Sequence, residues 1–202
     1  MSGSASETPG TPSSRLRRPF LRRMRGAAFL DADTYEEVEA DRGAIGQALA
    51  VVLLASAAGA LGTWIRVLLG HPLPANALPL GVHLALIAAE PLTIWLVSSA
   101  FTYMVGATFL RGPHTQTDYR EVLRTTGFAF SPGLLLFFVW VPPEELGLAA
   151  WTVARLWILA AAVVAVRQAL DFTTLRALAT FGTAAVLMWL VLWGLSVAPV
   201  PI

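Results

Sequence analysis

Five apolar segments, between 17 and 29 residues long, restrict most strongly how this chain can fold. Their approximate limits are 44–69, 82–110, 125–141, 146–166 and 177–197. A helix rises about 1.5 Å per residue, so twenty residues cross a hydrocarbon layer of about 30 Å. Only 13% of the residues are charged, as expected for a chain that lies mostly in lipid. The sequence therefore predicts an all-α, polytopic membrane helix bundle with five transmembrane helices.

Arginine placement orients the five predicted spans. All fourteen basic residues are arginine, and seven of them precede Ala44. The loops 111–124 and 167–176 also carry arginine, and loops of this kind stay on the cytoplasmic side of a membrane. Arginine is absent from the other three connections, which are 70–81, 142–146 and 198–202. The pattern predicts a multi-pass protein of the cytoplasmic (inner) cell membrane, with a cytoplasmic N-terminus and the C-terminus outside.

Two regions precede the membrane domain, which we place at residues 44–199. Residues 1–14 are small and polar, and they are predicted to be a disordered tail. Residues 15–43 form a juxtamembrane region that is basic at first and acidic afterwards. The basic part predicts either an amphipathic segment on an anionic membrane face or a solvated tail. Its apolar residues recur at helical spacing and are Leu16, Phe20, Leu21 and Met24.

The acidic part, "DADTYEEVEADRG", predicts a short helix that faces the cytoplasm. Thr34 followed by Glu37 has the spacing of a capping box, and Gly43 is typical of a helix end. We expect this helix to meet charges of two loops, and the residues involved are Tyr35, Glu36, Glu37, Glu39, Asp41, Arg120, Arg124, Arg167 and Arg176, with Asp118, Glu121 and Asp171 as further partners. The set is either a charge network that ties the helix to the loops or a docking surface for a cytoplasmic protein.

Three ionisable side chains fall within the predicted spans, namely Glu90, Arg66 and Arg155. Charge is costly to bury in lipid, so such residues are paired or functional. Counting from Arg111 at helical rise places Glu90 about 31 Å away, near the outer boundary, where Pro91 would lie in a first turn. We expect Glu90 to pair with Arg66 or Arg155, and a transport or proton-relay role is the alternative.

Pro132 and Gly133 interrupt the third apolar segment. Neighbouring helices can satisfy the carbonyl that a proline leaves free, so the pattern predicts a span with a kink at Pro132.

Several classes of chemistry lack the residues they need. The chain has no cysteine, and its three histidines are too dispersed for a metal centre. No serine, histidine and acid cluster and no glycine-rich phosphate loop is present. We therefore expect no metal, no cofactor, no enzymatic activity and no nucleic-acid partner. The expected partners are the lipid bilayer and a cytoplasmic or membrane protein.

Three stretches resemble a known family. They are "RGAAFLDADTYEEVEADRGAIGQAL", "DYREVLRTTGFAFSPGLL" and "WILAAAVVAVRQALDFTTLRAL". Together they resemble the prokaryotic branch of the Yip family, the Ypt/Rab-interacting membrane proteins, over roughly residues 25–190. The resemblance implies a five-span domain with a cytoplasmic N-terminus. Eukaryotic relatives act in vesicle traffic and contact Rab-type GTPases, but their aspartate-leucine-tyrosine-glycine-proline motif is not in this sequence.

These observations predict a non-enzymatic membrane scaffold or adaptor whose cytoplasmic face engages protein or lipid partners. The alternative is a small transporter or channel that uses Glu90 and Arg155.

Overall fold

The computed structural model describes residues 18–71, 73, 78–110 and 118–197, with side chains through Leu190. The predicted tail, Leu16, Arg111 and the C-terminal stretch 198–202 lie outside this part. Every regular element within it is a helix, which confirms the all-α prediction.

Seven α-helices make up most of the described chain. They are α1 Phe20–Ala28, α2 Ala32–Ala40, α3 Ile45–Leu68, α4 Leu80–Met104, α5 Tyr119–Phe128, α6 Glu144–Ala169 and α7 Thr174–Val197. Three short helical segments complete them: a 3-10 turn at Arg42–Ala44, a π-helical turn at Val105–Phe109 that extends α4, and a 3-10 helix at Ser131–Trp140.

Three segments are long and apolar enough to cross a membrane: Arg42–Leu68, Leu80–Phe109 and Glu144–Ala169. A fourth is formed if α5 and the 3-10 helix, which are bent by 41°, count as one broken span. The apolar segment Thr174–Leu190 of α7 is shorter. The multi-pass membrane character is thereby confirmed, whereas the number of five spans and their orientation stay predictions.

The bend in the third predicted span lies before Pro132 rather than at it. Ala129 and Phe130 separate α5 from the 3-10 helix, and Pro132 stands in the first turn of that second helix. A proline is tolerated there because its missing N–H would have no helical partner anyway.

A capping box begins α5. Asp118 Oδ1 accepts a hydrogen bond from the Glu121 amide at 2.8 Å, and Glu121 Oε2 accepts one from the Asp118 amide at 3.0 Å. The capping box predicted at Thr34 and Glu37 was wrong, because α2 begins earlier, at Ala32. Thr34 Oγ1 instead donates to Asp31 Oδ2 at 2.6 Å.

Small residues let α3 approach the 3-10 helix closely. A Cβ atom added to Gly62 would lie 2.6 Å from the Phe137 carbonyl oxygen, and one added to Gly133 would lie 2.7 Å from Ala55 Cβ. No larger side chain fits at these two contacts without a shift of the backbone. The pattern is the close helix packing typical of membrane bundles.

Helices α1 and α2 form an antiparallel hairpin that packs on the bundle. The Tyr35 hydroxyl donates to the Ala27 carbonyl oxygen at 3.1 Å, and Leu30 turns the chain with a φ of 61°. Trp157, at the midpoint of α6, donates from Nε1 to the Ala28 carbonyl oxygen at 2.7 Å. The hairpin tip therefore reaches the middle of a long apolar helix instead of lying only at its end.

Candidate functional site

Arg23 is the centre of the contacts that hold the hairpin. Its side chain is 1% exposed. Nε and Nη2 donate to Glu37 Oε1 at 3.0 and 2.8 Å, and Nη1 donates to Asp41 Oδ2 at 2.8 Å. Nη1 also lies 3.0 Å from Gln47 Oε1, in the first turn of α3. One guanidinium thus connects α1, α2 and α3. The sequence carries no local sign that this arginine, among its neighbours, is the buried one.

Arg18 extends the same network along α2. Its Nη1 lies 3.0 Å from Asp31 Oδ2, and its amide donates to Glu37 Oε1 at 2.9 Å. Burial by itself would raise the pKa of Glu37, but the hydrogen bonds from Arg23 and Arg18 outweigh it and lower that pKa. The Thr34 hydroxyl and Arg18 lower the pKa of Asp31. Both carboxylates are therefore charged at neutral pH.

Glu39 differs from the other acidic residues of α2. Burial, followed by repulsion from Asp171, Glu121 and Glu36, raises the pKa of its carboxyl group to about 7. Arg124 is buried, and its Nη2 donates to the Glu39 carbonyl oxygen at 2.6 Å rather than to the carboxylate. Arg124 Nη2 also lies 3.9 Å from Glu121 Oε1. This contact is the place where the predicted acidic helix meets a predicted loop arginine.

The other loop residues of the predicted set make different contacts. Glu36 Oε1 accepts from Gln168 Nε2 at 2.8 Å, and Arg167 Nε donates to Gln168 Oε1 at 2.9 Å. Arg176 donates to the Leu110 carbonyl oxygen at 3.2 Å, while Arg120 is exposed. The acidic helix is thus neutralised mainly by Arg23 of α1 and by Arg18, which precedes α1, and the sequence pattern did not indicate either as its partner.

An exposed stripe runs along the opposite side of α1. We call it the α1 stripe, and its residues are Leu21, Arg22, Arg25, Phe29 and Leu30. Leu21 and Phe29 are 70% and 67% exposed, and the Arg25 guanidinium lies 5.8 Å from the centre of the Phe29 ring. Phe20 and Met24, predicted to share one apolar face with Leu21, instead pack against the buried core.

Glu90 and Arg155 form an ion pair between α4 and α6. Arg155 Nη2 donates to Glu90 Oε2 at 2.6 Å, and the guanidinium lies 5.4 Å from the centre of the Trp151 ring. Helix α4 begins at Leu80, so Pro91 lies inside it and not in a first turn as expected. An interior proline is tolerated in a membrane helix because packing against neighbours compensates for the lost hydrogen bond.

Arg66 contacts Glu144 rather than Glu90. Each ion pair lines a cavity, with a volume of about 90 Å³ at Glu90 and Arg155 and about 290 Å³ at Arg66 and Glu144. The two cavities share three lining residues, which are Thr63, Val139 and Trp151.

Close packing follows on the other side of Glu90. Trp95, five residues further along α4, is 3% exposed and donates from Nε1 to the Leu123 carbonyl oxygen at 3.0 Å. A Cβ atom on Gly127 would lie 2.7 Å from Ala48 Cβ. On this side, the inner cavity therefore ends at closely packed side chains of α3, α4 and α5. Among the described residues, no group of three or more histidine, cysteine or acidic side chains is arranged to hold a metal ion.

Comparison with known proteins identifies the family. The model of the Yip1 domain matches residues 27–196, which is most of the chain. The chain belongs to the Yip1 family. No curated protein and no solved structure matches it.

The Yip1 domain includes most of the contacts described above. The acidic helix α2, both ion pairs and the two cavities lie within the matched residues, whereas Arg18 and Arg23 precede them. This Yip1-family protein therefore stabilises its domain with charged side chains from outside the matched region.

Proposed function

We propose that this Yip1-family protein is a non-enzymatic scaffold or adaptor of the cell membrane, and that the α1 stripe engages its protein or lipid partners. One observation carries the proposal. The hairpin is held firmly on the bundle, yet its outer side presents three large apolar side chains next to two exposed arginines. A rigidly held surface of this composition is suited to binding because no ordering of the segment is needed on contact.

The acidic side chains of α2 and of Asp41, which follows it, are less suited to docking. Glu37 and Asp41 are already hydrogen-bonded to Arg23, and Glu36 is bonded to Gln168. A partner would have to replace these bonds. The internal contacts support the network interpretation for the acidic helix and move the proposed docking surface to the basic, apolar stripe.

The position of the hairpin indicates which kind of partner can reach it. Ala28 contacts the midpoint of α6, and Leu156 and Leu159 on the same level of that helix are exposed. Exposed leucines on a membrane helix face lipid. The α1 stripe therefore lies beside a lipid-facing side of α6, where a lipid or a neighbouring membrane protein can contact it.

Point substitutions test this proposal better than removal of the N-terminal region. Deletion of residues 1–43 would uncover the buried side chains that face Tyr35 and Val38. The double variant Leu21→Ser, Phe29→Ser changes only exposed side chains of the stripe. Leu175→Ser, at a residue 79% exposed on α7, is the matched control.

Cross-linking in native membranes followed by mass spectrometry gives the measurement. We expect the double variant to lose specific protein or lipid partners that the wild type and the control retain. An identical set of partners in all three proteins would exclude the α1 stripe as the docking surface.

A second candidate function is transport, which the charged cavities favour. It requires a path from Glu90 past Trp95 and Gly127 to the other ends of the helices. Flux assays in proteoliposomes test it, with Glu90→Gln as the variant. Solute uptake into the proteoliposomes that is lost in Glu90→Gln would support transport. An equally slow solute leak with the wild type and with Glu90→Gln would oppose it.

A further inference from the structure

The two adjacent cavities form a site that the scaffold function does not use. The inner cavity contains Glu90 and Arg155, and the outer cavity contains Arg66 and Glu144. We propose that this site binds a zwitterionic group, with its anionic end at Arg155 and its ammonium end at Glu144. The site is separate from the α1 stripe, so either proposal can fail without the other.

The balance of charge selects the class of ligand. Each cavity contains one guanidinium and one carboxylate, already paired with each other. A ligand with a single charge would occupy one member of a pair and leave the other without its counter-charge, which weakens the binding of that ligand. A ligand that carries both charges can contact a guanidinium and a carboxylate together. A zwitterion is therefore favoured over a simple anion or cation.

An unpaired hydrogen-bond donor determines which end of the ligand lies in the inner cavity. Arg155 Nε is buried and has no hydrogen-bond partner among the described residues, while Nη2 of the same side chain contacts Glu90. A shift of the side chain that uncovers Nε would let an anionic oxygen in the inner cavity accept from it, and the ligand's own ammonium group would offset the negative charge that this adds beside Glu90. At the outer end, Glu144 is 70% exposed and the Trp151 ring lines the same cavity. A carboxylate and an aromatic face are both favourable for an ammonium group.

The volumes limit the size of the ligand. One water molecule occupies about 30 Å³, so an inner cavity of about 90 Å³ has room for a phosphate or carboxylate group. The outer cavity, at about 290 Å³, is at the lower end of the range of about 300 to 1,000 Å³ for small-molecule sites. Two sources fit this chemistry: the head group of a zwitterionic phospholipid, or a free phosphate–ammonium zwitterion.

Gly59 of α3 is a position at which a larger side chain can fill the inner cavity. A Cβ atom on Gly59 would lie 3.5 Å from Ile87 Cγ2 and 3.7 Å from Leu136 Cβ, which are ordinary contacts. Because Gly59 also lines the inner cavity, Gly59→Leu should fill it and leave all four charges in place. Gly46→Leu is the matched control on the same helix, since a Cβ there meets nothing within 4 Å.

The test uses the full chain in nanodiscs that contain equal amounts of phosphatidylethanolamine and phosphatidylglycerol. Native mass spectrometry then counts the retained lipids, and a second arm measures the thermal shift caused by phosphoethanolamine in detergent. We expect a preference of about tenfold for the zwitterion over the anionic lipid. We expect Gly59→Leu to abolish that preference and Gly46→Leu to keep it. Selective lipid retention without a thermal shift would identify the ligand as a lipid head group. A thermal shift without selective lipid retention would identify it as a free zwitterion.

Three results would overturn the proposal: equal retention of the two lipids together with no thermal shift, binding in neither arm, or zwitterion binding that Gly59→Leu leaves unchanged. If Gly59→Leu does not fold, Glu144→Gln replaces it because that residue is exposed. It should weaken zwitterion binding about tenfold. Binding equal to the wild type in Glu144→Gln would then count against the site.

Discussion

Two arginine–glutamate contacts in this protein differ in what they do for the molecule. Arg23 is almost completely buried and donates to Glu37, Asp41 and Gln47, so each part of its guanidinium has an acceptor. Arg155 has one carboxylate partner, Glu90, and keeps a buried Nε without an acceptor among the described residues. The first contact is a complete structural network. The second leaves capacity for a ligand, although each contact joins an arginine to a glutamate.

The largest expected effect is at Arg23. Arg23→Ala removes the buried guanidinium that connects α1, α2 and α3, although Glu37 keeps its contact with Arg18, and we expect it to lower the free energy of unfolding by about 3 kcal/mol. Denaturant unfolding in mixed micelles measures this. The exposed neighbour Arg22→Ala is the control and should change little. Equal stability of the two variants would show that burial of Arg23 does not stabilise the hairpin.

Substitution of glycine by alanine should have different effects on stability in the hairpin and beside the inner cavity. A Cβ on Gly26 would lie 2.2 Å from Thr34 Oγ1, which is bonded to Asp31 and Arg18 and cannot easily move. Gly26→Ala should therefore cost about 1 to 3 kcal/mol. Gly59→Ala meets only ordinary contacts, and we expect no loss or a gain below about 1 kcal/mol. The same unfolding measurement compares them, and a larger loss at Gly59 would contradict the difference in packing.

The ion pair in the cavity should contribute less than the Arg23 network. Glu90 is 42% exposed, so we expect a coupling free energy with Arg155 of about 1 kcal/mol or less. A double-mutant cycle of Glu90→Gln, Arg155→Gln and the pair of changes isolates it. A coupling as large as the loss in Arg23→Ala would mean that the pair is structural in the same sense as the network.

The smallest effect should be a dependence of hairpin packing on pH. The pKa of Glu39 is raised from 4.5 to about 7, so the folded protein favours the protonated carboxyl group. The contribution of Glu39 to the free energy of unfolding is fully present below about pH 4.5, and it is lost as the pH rises through about 7. Solvent screens the neighbouring carboxylates, so we expect less than about 1 kcal/mol.

Hydrogen exchange of α2 between pH 5 and 8, corrected for the intrinsic exchange rate, measures this dependence. Glu39→Gln should remove the loss of protection with rising pH. Glu37 and Asp31, whose pKa values are lowered, act in the opposite sense and only in the more acidic range. Protection of α2 that increases from pH 5 to pH 7 would contradict the role of Glu39.

Most of the membrane helices could be read from the sequence with small errors. The segments predicted at 44–69 and 146–166 correspond to α3 and α6, because long apolar runs form helices wherever they are placed in lipid. The capping box of α5 was also readable, since Asp118 and Glu121 have the required spacing before an apolar run. Thr34 and Glu37 have the same spacing, so the sequence alone does not show that the capping box begins α5 and not α2.

The amino-acid sequence by itself determined the all-helical fold, the membrane environment and the membership of the Yip1 family, because these depend on local composition and on the order of residues along the chain. Only the tertiary structure decided which arginine is buried, how far the hairpin reaches along α6, and that Arg155 rather than Arg66 contacts Glu90. Ala28 and Trp157 are 129 residues apart, and Glu90 and Arg155 are 65 apart. Charge and spacing within one segment carry no information about which distant helix will supply the partner.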